Sequence, residues 1–111
     1  MDEQISKVPD SLESLSGHWE YHEGEVMYNL VLDQQGNGTY DWQQGRFKTT
    51  SLLDKTWKGR WIQLGNDREG GFEAQLEESG LTAHGRWWYT RIGNDLDPIE
   101  PGGNFILTRS P

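Results

Sequence analysis

The chain has 111 residues, enough for one domain and one core and too few for a second. Only 32% of them are hydrophobic, yet six are Trp, four Tyr and three Phe, so a few large rings must supply most of the buried area. A formal charge of −8 argues against nucleic acid and anionic membrane surfaces as partners, and the lack of cysteine excludes disulfides and thiol chemistry.

Residues 1–9 read as a flexible polar arm ending at Val8-Pro9, with residues 10–111 forming one barrel domain. Residues 1–16 contain no apolar run of signal-peptide or membrane-spanning length, so the expectation is a soluble, cytoplasmic protein. Asp10 is placed to cap a short helical turn, Glu13 follows three residues on, and Leu12 and Leu15 share a face. Gly17 would end that turn, and from there the pattern has period two.

Eight strands are predicted in sequence order. The first (about 17–23) puts Trp19 and Tyr21 on one face and His18, Glu20 and His22 on the other. The second (about 26–34) carries Tyr28, Leu30 and Leu32 inward to a turn at Gln35-Gly36-Asn37-Gly38, and the third (about 38–44) adds Tyr40 and Trp42. The fourth (about 46–52) has Phe47 among polar neighbours and is the least regular. In the fifth (about 55–64) Gly59 separates Trp57 from Trp61, which lets the strand bend or another ring approach. The sixth (about 71–78) alternates cleanly, the seventh (about 83–92) runs through Trp87, Trp88 and Tyr89, and the eighth (about 103–109) offers Phe105 and Leu107. Gly59-Arg60-Trp61, Gly65-Asn66-Asp67, Gly70-Gly71 and Phe72 recur as Gly85-Arg86-Trp87, Gly93-Asn94-Asp95, Gly102-Gly103 and Phe105, as two hairpins solving the same turn problem. So much strand in so short a chain implies closure, which also removes exposed edges. The predicted fold is all-β, a single antiparallel up-and-down barrel of about eight strands.

At Leu15-Ser16-Gly17-His18-Trp19 the chain resembles the calycins, the superfamily of lipocalins, fatty-acid-binding proteins and avidins. Those proteins open their first strand with Gly-x-Trp after a short helical turn and close with an Arg that covers the Trp. Here Gly17, Trp19 and Arg109 occupy those places, and the resemblance implies that they close one barrel end by cation–π stacking. From Leu15 to Tyr40 the likeness is to the start of avidins, including Gly24, Met27, Gly36 and Gly38-Thr39-Tyr40. The early biotin-holding positions fall on Tyr21 and Glu25, which have the wrong chemistry, and only Tyr40 matches. The resemblance therefore implies a barrel with a ligand cavity at one mouth and does not bring biotin with it.

Strand order places the two long loops, 65–71 and 93–103, at the same end, which should be the open mouth. Asn66, Asp67 and Arg68 would orient polar groups there, within an acidic rim that also displays Glu23, Glu25, Glu69, Asn94, Asp95, Asp97 and Glu100 and suits cationic or hydroxyl-rich groups; the same residue types also serve as plain turn formers. Tyr40, Trp42, Trp57, Trp61, Trp87 and Tyr89 are the rings that would line a cavity, or fill it. Trp88 has the opposite parity and should face outward beside His84 and Arg86, either as an interface residue or packed beneath Arg86. A one-residue slip would exchange the roles of Trp87 and Trp88. His18, Glu20 and His22 are ligand-type residues on a solvent face without an evident fourth partner, so no metal is assigned. The acidic loop from Asn94 to Glu100 lacks calcium-loop spacing. No nucleophile motif, phosphate-cradling loop or cofactor motif occurs.

The leading expectation is a non-catalytic barrel that binds a small apolar or aromatic molecule. One alternative is an interaction module or homo-oligomer with a filled barrel. Another is a small barrel isomerase or cyclase using Asp67 and Asp95 as an acid–base pair.

Overall fold

A computed structural model describes residues 11–110, so the predicted arm over 1–9 and the Asp10 cap lie outside the described residues. The chain opens with a 3-10 turn over Leu12–Leu15, capped by Ser11, whose hydroxyl accepts from the Glu13 backbone N–H at 3.2 Å. Eight strands follow: β1 Gly17–Glu23, β2 Val26–Leu32, β3 Gly38–Tyr40, β4 Gly45–Leu53, β5 Thr56–Gln63, β6 Arg68–Leu76, β7 Thr82–Ile92 and β8 Gly103–Arg109. Each pairs antiparallel with the next. β8 returns to β1, with Trp19 opposite Arg109 and His22 opposite Ile106, so the barrel is closed and has no free edge.

Alternation sets which side chains go inside. Trp19, Leu30, Phe47, Trp57, Trp61, Phe72, Ala74, Phe105 and Leu107 are buried, and no polar or charged residue is buried among the described residues. Two irregularities re-aim side chains. In β4 the pairing shifts between Thr49 and Ser51, so Phe47 and Thr49 point inward, and Leu52 does so too despite its changed parity. In β6–β7 the shift lets Tyr89 face inward opposite Gly70 while Arg91 pairs with Glu69 on the outside.

The third strand is shorter than its alternation suggests. Residues 41–44 form a turn in which Gln43 and Gln44 both take φ 53°, so Trp42 sits on a loop and not on a strand.

One end is shut. The turns after β2, β4 and β6 gather there with the 3-10 turn, and Leu15 is fully buried against the core. Trp19 donates its indole N–H to the Leu15 carbonyl at 2.8 Å. The Arg109 guanidinium lies 4.2 Å from the Trp19 ring centroid and donates to the carbonyls of Ser16, Gly80 and Ser14. Gly17, at φ 117°, passes beneath that guanidinium. Above this seal Trp57 meets Trp19 at 5.3 Å and Phe47 at 6.0 Å, and Phe47 stacks on Phe72 at 4.3 Å, so rings fill the lower half of the barrel.

Candidate functional site: the cavity at the barrel mouth

The rings do not fill the upper half. A cavity of about 270 Å³ opens at the end where β1–β2, β3–β4, β5–β6 and β7–β8 connect. The β5–β6 connection is shorter than the predicted loop over 65–71, because β6 begins at Arg68. Glu69, Gly70 and Gly71 belong to the strand: a Cβ on Gly70 would lie 2.6 Å from the Trp61 ring, and one on Gly71 would lie 2.7 Å from Trp88. These glycines seat indoles and do not make a turn.

Two aromatic surfaces bound the cavity. On one side Trp42, Tyr28, Tyr21 and Phe105 form a near-parallel stack, with successive centroids at 5.7, 5.5 and 5.0 Å. On the other, Trp61, Trp87 and Tyr89 meet edge to face at 5.1 to 5.5 Å. Trp42 is 45% exposed, so the stack runs from solvent into the core.

The polar groups are divided as well. Glu23, at the end of β1, accepts from the Tyr21 hydroxyl at 2.7 Å, and both of its oxygens lie 3.1 Å from the Trp87 indole nitrogen. Burial, reinforced by the Glu23 hydrogen bond and charge, pushes the Tyr21 hydroxyl far above the usual phenol range, so it stays a donor. Burial also pushes Tyr40 up to about 12, although Gln63, donating to its oxygen at 2.7 Å, pulls the other way. On the β5–β6 hairpin the polar atoms are less well served. Among the described residues, Trp61 Nε1, Asn66 Oδ1 and Arg68 Nε are buried without a hydrogen-bond partner. The Arg68 side chain, again among the described residues, donates only to the Tyr89 hydroxyl, at 3.3 Å, lies 5.9 Å from the Tyr89 ring centroid, and makes no ion pair.

Of the residues singled out from sequence, Tyr40, Trp42, Trp61, Asn66, Arg68, Trp87 and Tyr89 line this one cavity. Trp57 does not. It is fully buried in the ring-filled half, where its indole N–H donates to Thr49 Oγ1 at 2.9 Å. Asp67 does not line it either, because its carboxylate is drawn outward to Arg91 at 2.8 Å. Glu69 is likewise outside, held by Arg91 at 2.6 Å and Arg60 at 2.7 Å. The hydrogen bond from Arg91 is the largest effect; burial opposes it, and the hydrogen bond from Arg60 with the charges of both arginines helps to hold the carboxyl below the usual range. The acidic rim expected for cationic groups is thus partly neutralised on the outer surface. Asp95 accepts from the Asp97 backbone N–H and, like Asp67, lines no part of the cavity.

Tyr21 is not among the predicted binding residues, and Glu23 is expected only as one carboxylate of the acidic rim. Parity put Tyr21 indoors, but nothing in the spacing shows that a rim glutamate folds in to meet it. Trp88 faces outward, half-buried, with the Arg86 guanidinium 4.9 Å from its ring centroid and Gly71 beneath it. No family model, no curated protein and no solved structure matches the chain.

Proposed function

We propose that the protein is a non-catalytic binder of one small aromatic molecule, seated between the stacked wall and the edge-to-face wall of the mouth. The observation that carries this reading is the pairing of a one-ended aromatic cavity with three unpartnered buried polar atoms on the residues that line it. A buried donor or acceptor without a partner costs about 1–3 kcal/mol, and a bound molecule supplies what small side-chain adjustments then bring into contact. The calycin-like shape supports the same reading, since eight-stranded barrels are just wide enough to hold one small ligand. The volume of about 270 Å³ lies just under the roughly 300–1,000 Å³ usual for small-molecule sites, which favours one ring or two fused rings.

Native mass spectrometry of protein purified gently from cells tests this. A single small-molecule adduct, lost on denaturation and absent from a folded Trp61→Ala variant, is the expected result. A bare protein that also leaves indole and phenol unbound in calorimetric titration would end the reading.

A further inference from the structure

Resting on that reading, we infer the chemical class of the ligand: an aromatic carboxylate whose ring also carries an N–H or O–H donor. The two charged side chains on the cavity wall differ in how fully they are hydrogen-bonded. Glu23 already accepts from Tyr21 and from Trp87, neutral donors that take part of its lone-pair capacity and hold the carboxylate in place. Among the described residues Arg68 has a long hydrogen bond to the Tyr89 hydroxyl and a loose contact with its ring, an unpartnered Nε and no carboxylate. A guanidinium presents a planar fork of donors that fits a carboxylate, and a partly buried cation without a counter-charge gains most from one.

The remaining unpartnered atoms extend the match. Trp61 Nε1, an indole donor, and Asn66 Oδ1, an acceptor, belong to the same hairpin as Arg68. Both atoms are covered, so a small shift of the hairpin side chains must turn them toward the cavity before a second ligand oxygen can accept from the first and a ring hydroxyl or amine can donate to the second. The rings supply faces and edges for the ligand's own ring. The chain's charge of −8 opposes the approach of an anion, but that field is screened beyond about 8 Å at physiological ionic strength, and the contact inside the cavity is screened far less.

The test compares three probes of nearly one size by calorimetric titration: 4-hydroxybenzoate, the neutral 4-hydroxybenzamide and the cationic tyramine. The expected order places 4-hydroxybenzoate about tenfold or more tighter than the amide, with tyramine weakest. In Arg68→Gln, with folding checked by near-ultraviolet circular dichroism, the acid-to-amide ratio should fall to about one; Arg68→Lys should keep part of the preference. Equal binding of acid and amide by the wild type, or tighter tyramine, overturns the inference while leaving an aromatic carrier in place. An acid preference that survives Arg68→Gln overturns the role of Arg68. Binding of none of the three, nor of indole or phenol, removes the carrier reading and this inference with it.

Discussion

At the residue scale the two ends of the barrel serve polar groups unequally: among the described residues the mouth leaves Trp61 Nε1 unanswered while Glu23 answers Trp87. At the sealed end every indole N–H is answered, that of Trp19 by Leu15 and that of Trp57 by Thr49, and Arg109 spans three carbonyls over the Trp19 face. Arg109→Ala removes the stacking and the charged hydrogen bonds together, and is expected to lower stability by about 2–4 kcal/mol in urea denaturation. Since the mouth lies at the other end, ligand affinity of the folded fraction should change by less than about twofold, in keeping with additivity between distant sites. Glu69 gives a pH-dependent counterpart on the outer surface. Its folded-state pKa lies below the ordinary 4.5, so its contribution is present above that value and disappears as pH falls through the folded value. Glu69→Gln should therefore be less stable than wild type at neutral pH, with the gap in melting temperature closing on acidification below 4.5. A gap that is constant with pH would mean that the Arg60–Glu69–Arg91 cluster contributes packing and not charge.

At the element scale the recurring device is a ring laid over a glycine on the neighbouring strand. Gly59 pairs with Phe72, Gly70 with Trp61 and Gly85 with Phe105, and Gly45 with Tyr40. On the outside Gly71 pairs with Trp88. A Cβ at Gly59 would collide with the Lys48 carbonyl and lie 2.6 Å from the Phe72 ring, so Gly59→Ala should cost about 1–3 kcal/mol or more, read from the urea midpoint. Trp88→Ala should cost about 1 kcal/mol through lost packing on Gly71 and Arg86, with an unchanged sedimentation coefficient. A change in oligomer size would instead assign Trp88 to a subunit contact. This device explains what was legible in the sequence. The echo of Gly-Arg-Trp is real pairing, because Gly59-Arg60-Trp61 faces Gly70-Gly71-Phe72 just as Gly85-Arg86-Trp87 faces Gly103-Asn104-Phe105. The same device hid the start of β6, where Gly70-Gly71 imitates a turn. The bulge at Thr49–Ser51 made β4 look irregular by switching parity between Phe47 and Leu52, and nothing in two glutamines signals the left-handed turn that ends β3 early. The mouth residues on regular strands, Trp61, Trp87 and Tyr89, were readable from alternation. Asp67 was not, because its direction depends on Arg91, which β7 turns outward only after its own register shift.

For the whole molecule, closure is complete but uneven around the circumference. β5, β6 and β7 pair over long registers, whereas β3 meets β2 and β4 at three positions each. Beyond Tyr40 the backbone pairing gives way to a side-chain clasp, in which Asp41 accepts from the Asn29 backbone N–H at 3.0 Å and from its amide group at 3.2 Å. This thin seam adjoins the mouth, and Tyr40 and Trp42, on either side of Asp41, line the cavity. Local opening follows the free energy of the backbone contacts that must break, so the seam is where the barrel should open first. Amide hydrogen exchange is expected to be about tenfold or more faster at Thr39 and Tyr40 than at Phe72 and Ala74. Asp41→Ala should speed it further at β3 and leave β6 unchanged. A ligand that stacks against Trp42 and Tyr40 should slow it, since binding to the closed form lowers the population of the open one. Equal protection of β3 and β6 would show that the barrel opens only as a whole, and would leave entry through the rim of the mouth as the route to the cavity.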